Sequence, residues 1–249
     1  MLRLPSWSSA VSRPEPLREG LNGSVNPSPG LLNFVLAESA LELVPKEIRR
    51  FQAVVSDSNR RQADASTILL DRSFHHSAMA KLKDSEKRGR PDLVHVTLLS
   101  VTGTPLYLDG LVRVFVHTYD DLVLEIAEKT RIPKNYIRFR GLMEEALREK
   151  PRQGLIKVHS MSVKELISRE RADEAVGLSV QGKQMPIEDL ARNLARAREP
   201  CVVVGGFPHR HFSAETLSAF DQLVRVHPKP LEAHVVAARV VYEVEKARG

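Results

Sequence analysis

Apolar residues are scarce and unpatterned at the start of the chain and become regular from Leu31 onward. Residues 1–30 hold several prolines and serines, which is typical of a flexible extension or of a mis-assigned start. The apolar run Leu31–Ala37 predicts a buried strand, and Ser39 and Glu42 have the spacing of a helix capping box. We therefore predict a flexible N-terminal extension followed by one folded domain over residues 31–249.

Short apolar segments then alternate with amphipathic ones. The predicted strands are 68–70, 93–101, 111–119, 122–126, 155–158, 175–180, 201–204 and 222–226. The predicted helices are 74–82, 135–150, 162–170, 187–198, 214–219 and 231–247. Short valine-rich strands separated by amphipathic helices predict an α/β fold with a mostly parallel sheet covered on both sides. The last helix is so rich in Val and Ala that we expect it to pack on another subunit as well.

In such a sheet, ligands bind beyond the carboxyl ends of the strands. The candidate loops are residues 178–183, 204–209 and 226–231. Gly205 and Gly206 would let the backbone approach a ligand closely, although a Gly-Gly pair can also serve only to turn the chain. The G-x-G-x-x-G and P-loop motifs do not occur, so the three loops together indicate a small-molecule pocket of another kind.

The net charge of +6 favours polyanionic partners. Basic residues concentrate in Lys87–Asp92 and in Arg131–Arg140, where Tyr136 and Phe139 are interleaved with them. Guanidinium groups bind phosphates and aromatic rings stack on unpaired bases, so this composition indicates a single-stranded or loop RNA. The alternative for either cluster is an ordinary solvated surface.

Other residues exclude several classes of chemistry. The single cysteine, Cys201, opens an apolar run, so we expect a buried strand residue rather than a nucleophile. Neither His75-His76 nor the pair His209 and His211 has further ligands at matching spacing, so we predict no metal site. No apolar stretch is long enough to cross a bilayer, and we expect a cytoplasmic protein without a membrane partner.

Several long motifs follow one another in a fixed order. They are Val35–Pro45, Leu70–His76, Arg88–His95, His117–Asp121, Arg131–Tyr136, Arg138–Met143, Val204–Pro208 and Pro230–Ala233. Together they resemble the pseudouridine N1-specific methyltransferases of small-subunit ribosomal RNA, also called the nucleolar essential protein family, of the SPOUT class. The resemblance covers about residues 33–243, and the archaeal-type members are the most similar because no long eukaryotic extension is present.

The resemblance implies a SPOUT-type sheet with a C-terminal trefoil knot and a basic insertion that adds strands and a helix. Within the domain, residues 71–150 would include the RNA-binding face and residues 175–249 the knotted cofactor-binding part. It also implies S-adenosylmethionine as cofactor, N1 of a pseudouridine in a small-subunit rRNA stem-loop as the methylated atom, a homodimer, and a role in ribosome biogenesis. Ribosomal proteins are further candidate partners during assembly.

Matching the motifs residue by residue implies the site. The RNA-binding residues are Arg72, Arg88, Arg90, Arg131, Lys134 and Arg138. The cofactor-binding residues are Leu178, Ser179, Gly182, Gly205, Gly206, Pro208, Arg210, Val226, His227, Leu231, Glu232 and Ala233. If residues 131–138 are helical, Arg131, Lys134 and Arg138 lie on one face. Arg210 and His234 depart from the family, which often has glycine and an aromatic residue there, so we expect them to reshape the pocket.

Methyl transfer from a sulfonium is an in-line displacement, so positioning should dominate, but the N1 proton of pseudouridine must also leave. The candidate catalytic residues are Asp71 and Asp92. We expect Asp92 to orient Arg90, and Asp71 to be a base, a hydrogen-bond acceptor or only a helix N-cap. For the whole protein, the alternative is a non-catalytic rRNA-binding assembly factor. A SPOUT enzyme acting on tRNA ribose is a third option, which the motifs Arg88–Asp92 and Arg131–Tyr136 argue against.

Overall fold

The computed structural model describes residues 30–249. The extension predicted for residues 1–30 therefore lies, apart from Gly30, outside the described residues. Within them the strands are β1 (Leu32–Ser39), β2 (Val112–Thr118), β3 (Leu122–Ile126), β4 (Ile156–Ser160), β5 (Glu174–Gln184), β6 (Pro200–Gly205) and β7 (Gln222–Arg225). The helices are α1 (Gln52–Arg61), α2 (Arg72–Met79), α3 (Pro91–Thr102), α4 (Pro105–Leu108), α5 (Tyr136–Glu149), α6 (Val163–Arg169), α7 (Ile187–Arg196), α8 (Ala214–Leu217) and α9 (Ala233–Arg248).

All these strands form one sheet in the order β4-β3-β2-β1-β6-β5-β7. The strands from β2 to β7 in this order are parallel, whereas β3 and β4 are antiparallel additions at one edge. The predicted mostly parallel α/β sheet is confirmed. The extra strands β3 and β4 and the intervening α5 are present, and their origin as a family-specific basic insertion stays a prediction. The trefoil knot stays a prediction.

Neighbouring residues of β1 face opposite layers, as strand geometry requires. Phe34 and Leu36 pack with α3, α7 and α9, whereas Val35 and Ala37 pack with residues of α6 and the segment before α8. Because helices cover both faces, the central strands are buried throughout, and the burial of Cys201 in β6 agrees with its predicted place in a strand.

The prediction of a strand over residues 93–101 is wrong, because these residues form the middle of α3. Their apolar density is typical of a buried strand, because even the exposed side of α3 carries the apolar residues Val96 and Leu99. Pro91 at the first helical position and Asp92 in the first turn are the helix-start signals that favour the observed structure.

Two smaller expectations are also wrong. Ser39 ends β1, and its hydroxyl donates to the carbonyl of Leu36 at 2.9 Å instead of capping a helix over residues 38–42. Residues 68–70 form only an isolated bridge, between Leu69 and Leu43. Both segments lie close to the functional site, because the backbone N–H of Arg90 donates to Ala40 and that of Leu70 donates to Glu42.

Candidate cofactor pocket and RNA-binding face

A cavity of about 390 Å³ lies at the carboxyl ends of β6 and β7 and beside residues 178–180 in the middle of β5. Its lining includes the sequence-predicted residues Leu178, Ser179, Gly205, Pro208, Arg210, Val226, His227, Leu231, Glu232 and Ala233. We call it the cofactor cavity, because three loops predicted to hold a cofactor converge on it. Its walls also include Phe207 and Lys229 from the predicted loops, and Leu93, Arg225 and Val236, which sequence reasoning missed.

Gly182 and Gly206, which were predicted to bind the cofactor, are not among the lining residues. A Cβ on Gly182 would lie 2.6 Å from the backbone of Leu223, and one on Gly206 would lie 2.8 Å from the Cα of Ser39. Real Cβ atoms do not approach backbone this closely, so each glycine allows two chain segments to pass in contact. Their role is to shape the loops from behind.

The two departures from the family have different consequences. Arg210 has a φ of +74°, a left-handed conformation that favours glycine, and its exposed side chain pairs with Glu86 at 2.6 Å. His234 is not part of the cavity lining, and its carbonyl accepts a hydrogen bond from Ser100. Arg210 therefore lines the cavity and His234 does not, and the influence of either residue on the pocket stays a prediction.

The lining suits a ligand with a flat apolar part and polar groups. Leu93, Val204, Phe207 and Leu231 supply apolar walls, of the kind on which a purine packs. Glu232 adds a carboxylate that can accept hydrogen bonds from ribose hydroxyls or attract a cationic centre. The apolar walls and the carboxylate fit S-adenosylmethionine, which combines an adenosine with a sulfonium.

Arg90 precedes Leu93, which lines this cavity, by three residues. Its guanidinium makes two hydrogen bonds of 2.8 Å to the carboxylate of Asp92. These bonds raise the pKa of Arg90, and the charges of Asp92, Glu232 and Asp71 add to the effect. Burial alone would raise the pKa of Asp92, but the hydrogen bond and charge of Arg90 outweigh it and hold that pKa below its ordinary value. The Arg90 side chain is 37% exposed and free to meet a ligand.

Asp71 is buried and its two carboxylate oxygens have different partners. Oδ1 accepts the backbone N–H of Ser73 and so caps α2. Oδ2 accepts the hydroxyl of Tyr136 at 2.7 Å. Burial and this hydrogen bond to Asp71 raise the pKa of Tyr136. Asp71 therefore joins the start of α2 to the start of α5, an arrangement that favours the acceptor alternative over a free base.

The three basic residues Arg131, Lys134 and Arg138, which were predicted to bind RNA, are exposed. Arg131 and Lys134 precede the helix, which begins at Tyr136, so the argument that they share a helix face with Arg138 is wrong. Asn135 accepts the backbone N–H of Arg138 and thereby starts the helix after them. Within residues 30–249, none of the three basic side chains forms an ion pair, which leaves their charges available to phosphates.

Arg88 does not lie on the surface, which argues against its predicted contact with RNA. Its side chain is 8% exposed, and its Nε donates to the Oε1 of Glu42 at 2.7 Å. Arg72 is half-buried, and its guanidinium donates to the carbonyl of Ser85. Both arginines fix the segment that precedes Arg90, and burying a charge requires such a partner.

The remaining expectations concern absences. Within the described residues, no group of three or more His, Cys, Asp or Glu side chains has a metal-binding arrangement. Burial raises the pKa of Cys201 to about 12, as expected for an unreactive strand residue. The helices between residues 30 and 249 are all too short or too polar to cross a membrane.

Comparison with known proteins gives consistent results. The family model of the EMG1/NEP1 methyltransferases matches residues 34–245. The chain is 37% identical to the ribosomal RNA small subunit methyltransferase Nep1 of Staphylothermus marinus over 219 residues, which cover 86% of this chain and 95% of the relative. It is 41% identical to the protein of the same name from Pyrobaculum neutrophilum over 221 residues, covering 87% and 98%.

The fold agrees with that of a solved relative. The crystal structure of Archaeoglobus fulgidus Nep1 bound to S-adenosylhomocysteine has a TM-score of 0.77 and 32% sequence identity, and the match covers 89% of this chain and 99% of that one. The chain belongs to the EMG1/NEP1 methyltransferase family.

Proposed function

We propose that this chain is an S-adenosylmethionine-dependent methyltransferase that methylates N1 of a pseudouridine in small-subunit rRNA and acts in ribosome biogenesis. The observation that carries the proposal is the closeness of two sites along α3: Leu93, a wall of the cofactor cavity, lies in the first turn of this helix, and Arg90 is its N-cap. The names of its relatives give the rRNA methyltransferase activity, and the A. fulgidus relative binds S-adenosylhomocysteine.

The cavity residues would hold the cofactor. Apolar walls from Leu93, Phe207 and Leu231 would pack on the adenine, and Glu232 would accept hydrogen bonds or face the positive charge. When bound, S-adenosylmethionine supplies a methyl group on a sulfonium and departs as the neutral thioether. The protein contributes position, because an in-line displacement depends on the alignment of donor and acceptor atoms.

The RNA would lie over Arg90 and the exposed basic residues near α5. Arg90, aligned by Asp92, would bind the target loop next to the cavity, and Arg131, Lys134 and Arg138 would contact backbone phosphates. Arg72 would support this face from behind through its bond to Ser85. Both oxygens of the Asp71 carboxylate already accept hydrogen bonds, from Ser73 and Tyr136, so we propose that Asp71 acts by holding Tyr136 and that the N1 proton passes to solvent water as the N1–methyl bond forms.

The remaining assignments are also part of the proposal. Residues 31–249 form one domain, with the RNA face in 71–150 and a knotted cofactor part in 175–249. The exposed Val235 and Tyr242 of α9 would join a second copy of the chain in a homodimer. The protein would act in the cytoplasm, where ribosomal proteins are further partners during assembly.

Calorimetry with S-adenosylhomocysteine tests the enzyme against the non-catalytic assembly factor, which needs no intact cofactor cavity. We expect binding near one molecule per chain. A chain that binds the rRNA stem-loop but shows no heat with S-adenosylhomocysteine would support the assembly factor. The cavity beside β5 and at the carboxyl ends of β6 and β7 favours the enzyme.

A further inference from the structure

The carboxyl end of β1, residues 37–40, is bonded to both halves of the site. The backbone N–H of Gly206 donates to Ala37 at 2.8 Å, and the carbonyl of Gly206 accepts from Ala40 at 2.9 Å. The carbonyl of Ala40 in turn accepts the N–H of Arg90 at 3.0 Å. A four-residue segment thus fixes the start of the cofactor loop, which we define as residues 205–213, and the backbone of the RNA-contacting arginine.

Glu38 occupies the centre of this segment and is 7% exposed. Its Oε1 accepts the backbone N–H of Ser213, the last residue of the cofactor loop, at 2.7 Å. Its Oε2 accepts from the ammonium of Lys87 at 2.5 Å. Burial alone would raise the pKa of Glu38, but the hydrogen bonds from Lys87 and Ser213 outweigh it and lower that pKa. The carboxylate is therefore charged and fully engaged at neutral pH.

Lys87 extends these contacts in both directions. It lies three residues before Arg90, in the segment 84–90. Its ammonium also lies 4.6 Å from the centre of the Phe207 ring, which lines the cofactor cavity. The backbone of Glu38 is held separately, because its N–H donates to Nδ1 of the buried His117 at 3.1 Å. The buried ion pair of Glu38 and Lys87 thus contacts the cofactor loop at Phe207 and Ser213, and Lys87 itself belongs to the segment 84–90.

We propose that Glu38 is a positioning residue that holds the cofactor loop and the segment 84–90 in fixed relation to each other. It lies outside the lining of the cofactor cavity and acts through Lys87 and Ser213. The proposal rests on the proposed function for the identity of the two ligands. The physical link itself exists in the free protein, and it can be measured without them.

The first test is amide hydrogen exchange of the ligand-free protein, comparing the wild type with Glu38→Gln. We expect the amides of Ser213 and Arg90 to exchange about tenfold faster in the variant, since local opening becomes easier. The amides of Val203 and Phe139, in the core, should keep their rates. Unchanged exchange at both Ser213 and Arg90 would overturn the proposal.

A second pair of variants covers the case in which Glu38→Gln does not fold. Ser213→Pro removes the N–H that Glu38 accepts, at a φ of −63° that proline adopts. Ser213→Ala keeps that N–H, and both variants lose the side chain that caps α8, so their difference isolates the bond to Glu38. Faster exchange at Arg90 in the proline variant than in the alanine variant supports the link. Equal rates at Arg90 overturn it.

The second test is calorimetry with S-adenosylhomocysteine. For Glu38→Gln we expect a dissociation constant raised about tenfold at wild-type stoichiometry. A wild-type dissociation constant with reduced stoichiometry means that Glu38 only stabilises the fold, and it overturns the proposal. Failure of the wild type to bind would count against the proposed function instead, and the exchange experiment then decides the role of Glu38 alone.

Discussion

Arg90 and Asp92 are joined by two parallel hydrogen bonds, Nε to Oδ1 and Nη2 to Oδ2, each 2.8 Å long. This fork geometry fixes the plane of the guanidinium, while the two side chains keep 37% and 51% of their surface exposed. Exposed ion pairs contribute little to stability, so the pair's effect should appear in binding and not in folding.

Replacement of Asp92 tests this expectation. In Asp92→Asn the fork loses its charge, Arg90 becomes free to rotate, and the dissociation constant for the target stem-loop should rise about tenfold. The matched control is Asp189→Asn, which breaks an exposed Asp–Arg pair on α7. Fluorescence anisotropy measures both. Equal affinities of the two variants would refute the orienting role of Asp92.

Replacing Arg88 should lower the stability of the fold, whereas replacing Arg90 should weaken RNA binding, although both residues belong to one basic cluster. Arg88→Gln leaves Glu42 buried without its partner and should cost about 3–5 kcal/mol of stability in a urea titration. The slope of RNA affinity against salt should stay at the wild-type value, whereas Arg90→Gln should reduce it by about one unit. A reduced slope for Arg88→Gln would restore Arg88 as a phosphate contact.

A third prediction concerns Gly182, which lies near the end of β5. Gly182→Ala places a Cβ against the backbone of Leu223 and should destabilise the fold by about 1–3 kcal/mol. Gly141→Ala is the matched control, because no atom lies within 4 Å of the added Cβ in the middle of α5. That control should gain about 0.5–1 kcal/mol. Chemical denaturation gives both values, and a neutral Gly182→Ala would contradict the close approach of the two segments.

The role of Asp71 is decided by the size of a rate effect. A general base contributes about 10²–10⁴ in rate, so its loss in Asp71→Asn would reduce kcat by at least that much. If Asp71 only accepts hydrogen bonds, the fall should stay below about tenfold. Tyr136→Phe, which removes the same hydrogen bond, should then have a similar effect. Single-turnover kinetics separate the two cases, provided that RNA affinity is measured in parallel.

The sheet and the cofactor loops could be predicted because strands and turn residues leave a local signal. Val203 and its neighbours in β6 are apolar without interruption, and Gly205-Gly206 ends them, so both strand and loop follow from the pattern. We predicted a strand in place of helix α3 because its apolar residues are spread around the whole helix axis. There the period of 3.6 disappears, and only the cap signals at Pro91 and Asp92 remain.

The roles of Arg88, Lys87 and Glu38 could not be predicted, because they depend on contacts between distant parts of the chain. Arg88 is buried because Glu42 lies opposite it in the fold, 46 residues away, and no local pattern reveals this partner. Lys87 and Glu38 are separated by 49 residues in the same way. A run of basic residues predicts charge, but only the fold decides which charges face solvent.

The most direct test of the account is transfer of a labelled methyl group from S-adenosylmethionine to two rRNA stem-loops that differ only in having pseudouridine or uridine at the target position. We predict that the pseudouridine RNA gains the label at N1 and that the uridine RNA does not. An unlabelled pseudouridine RNA, under conditions in which the protein binds both the RNA and S-adenosylhomocysteine, would contradict the proposed reaction.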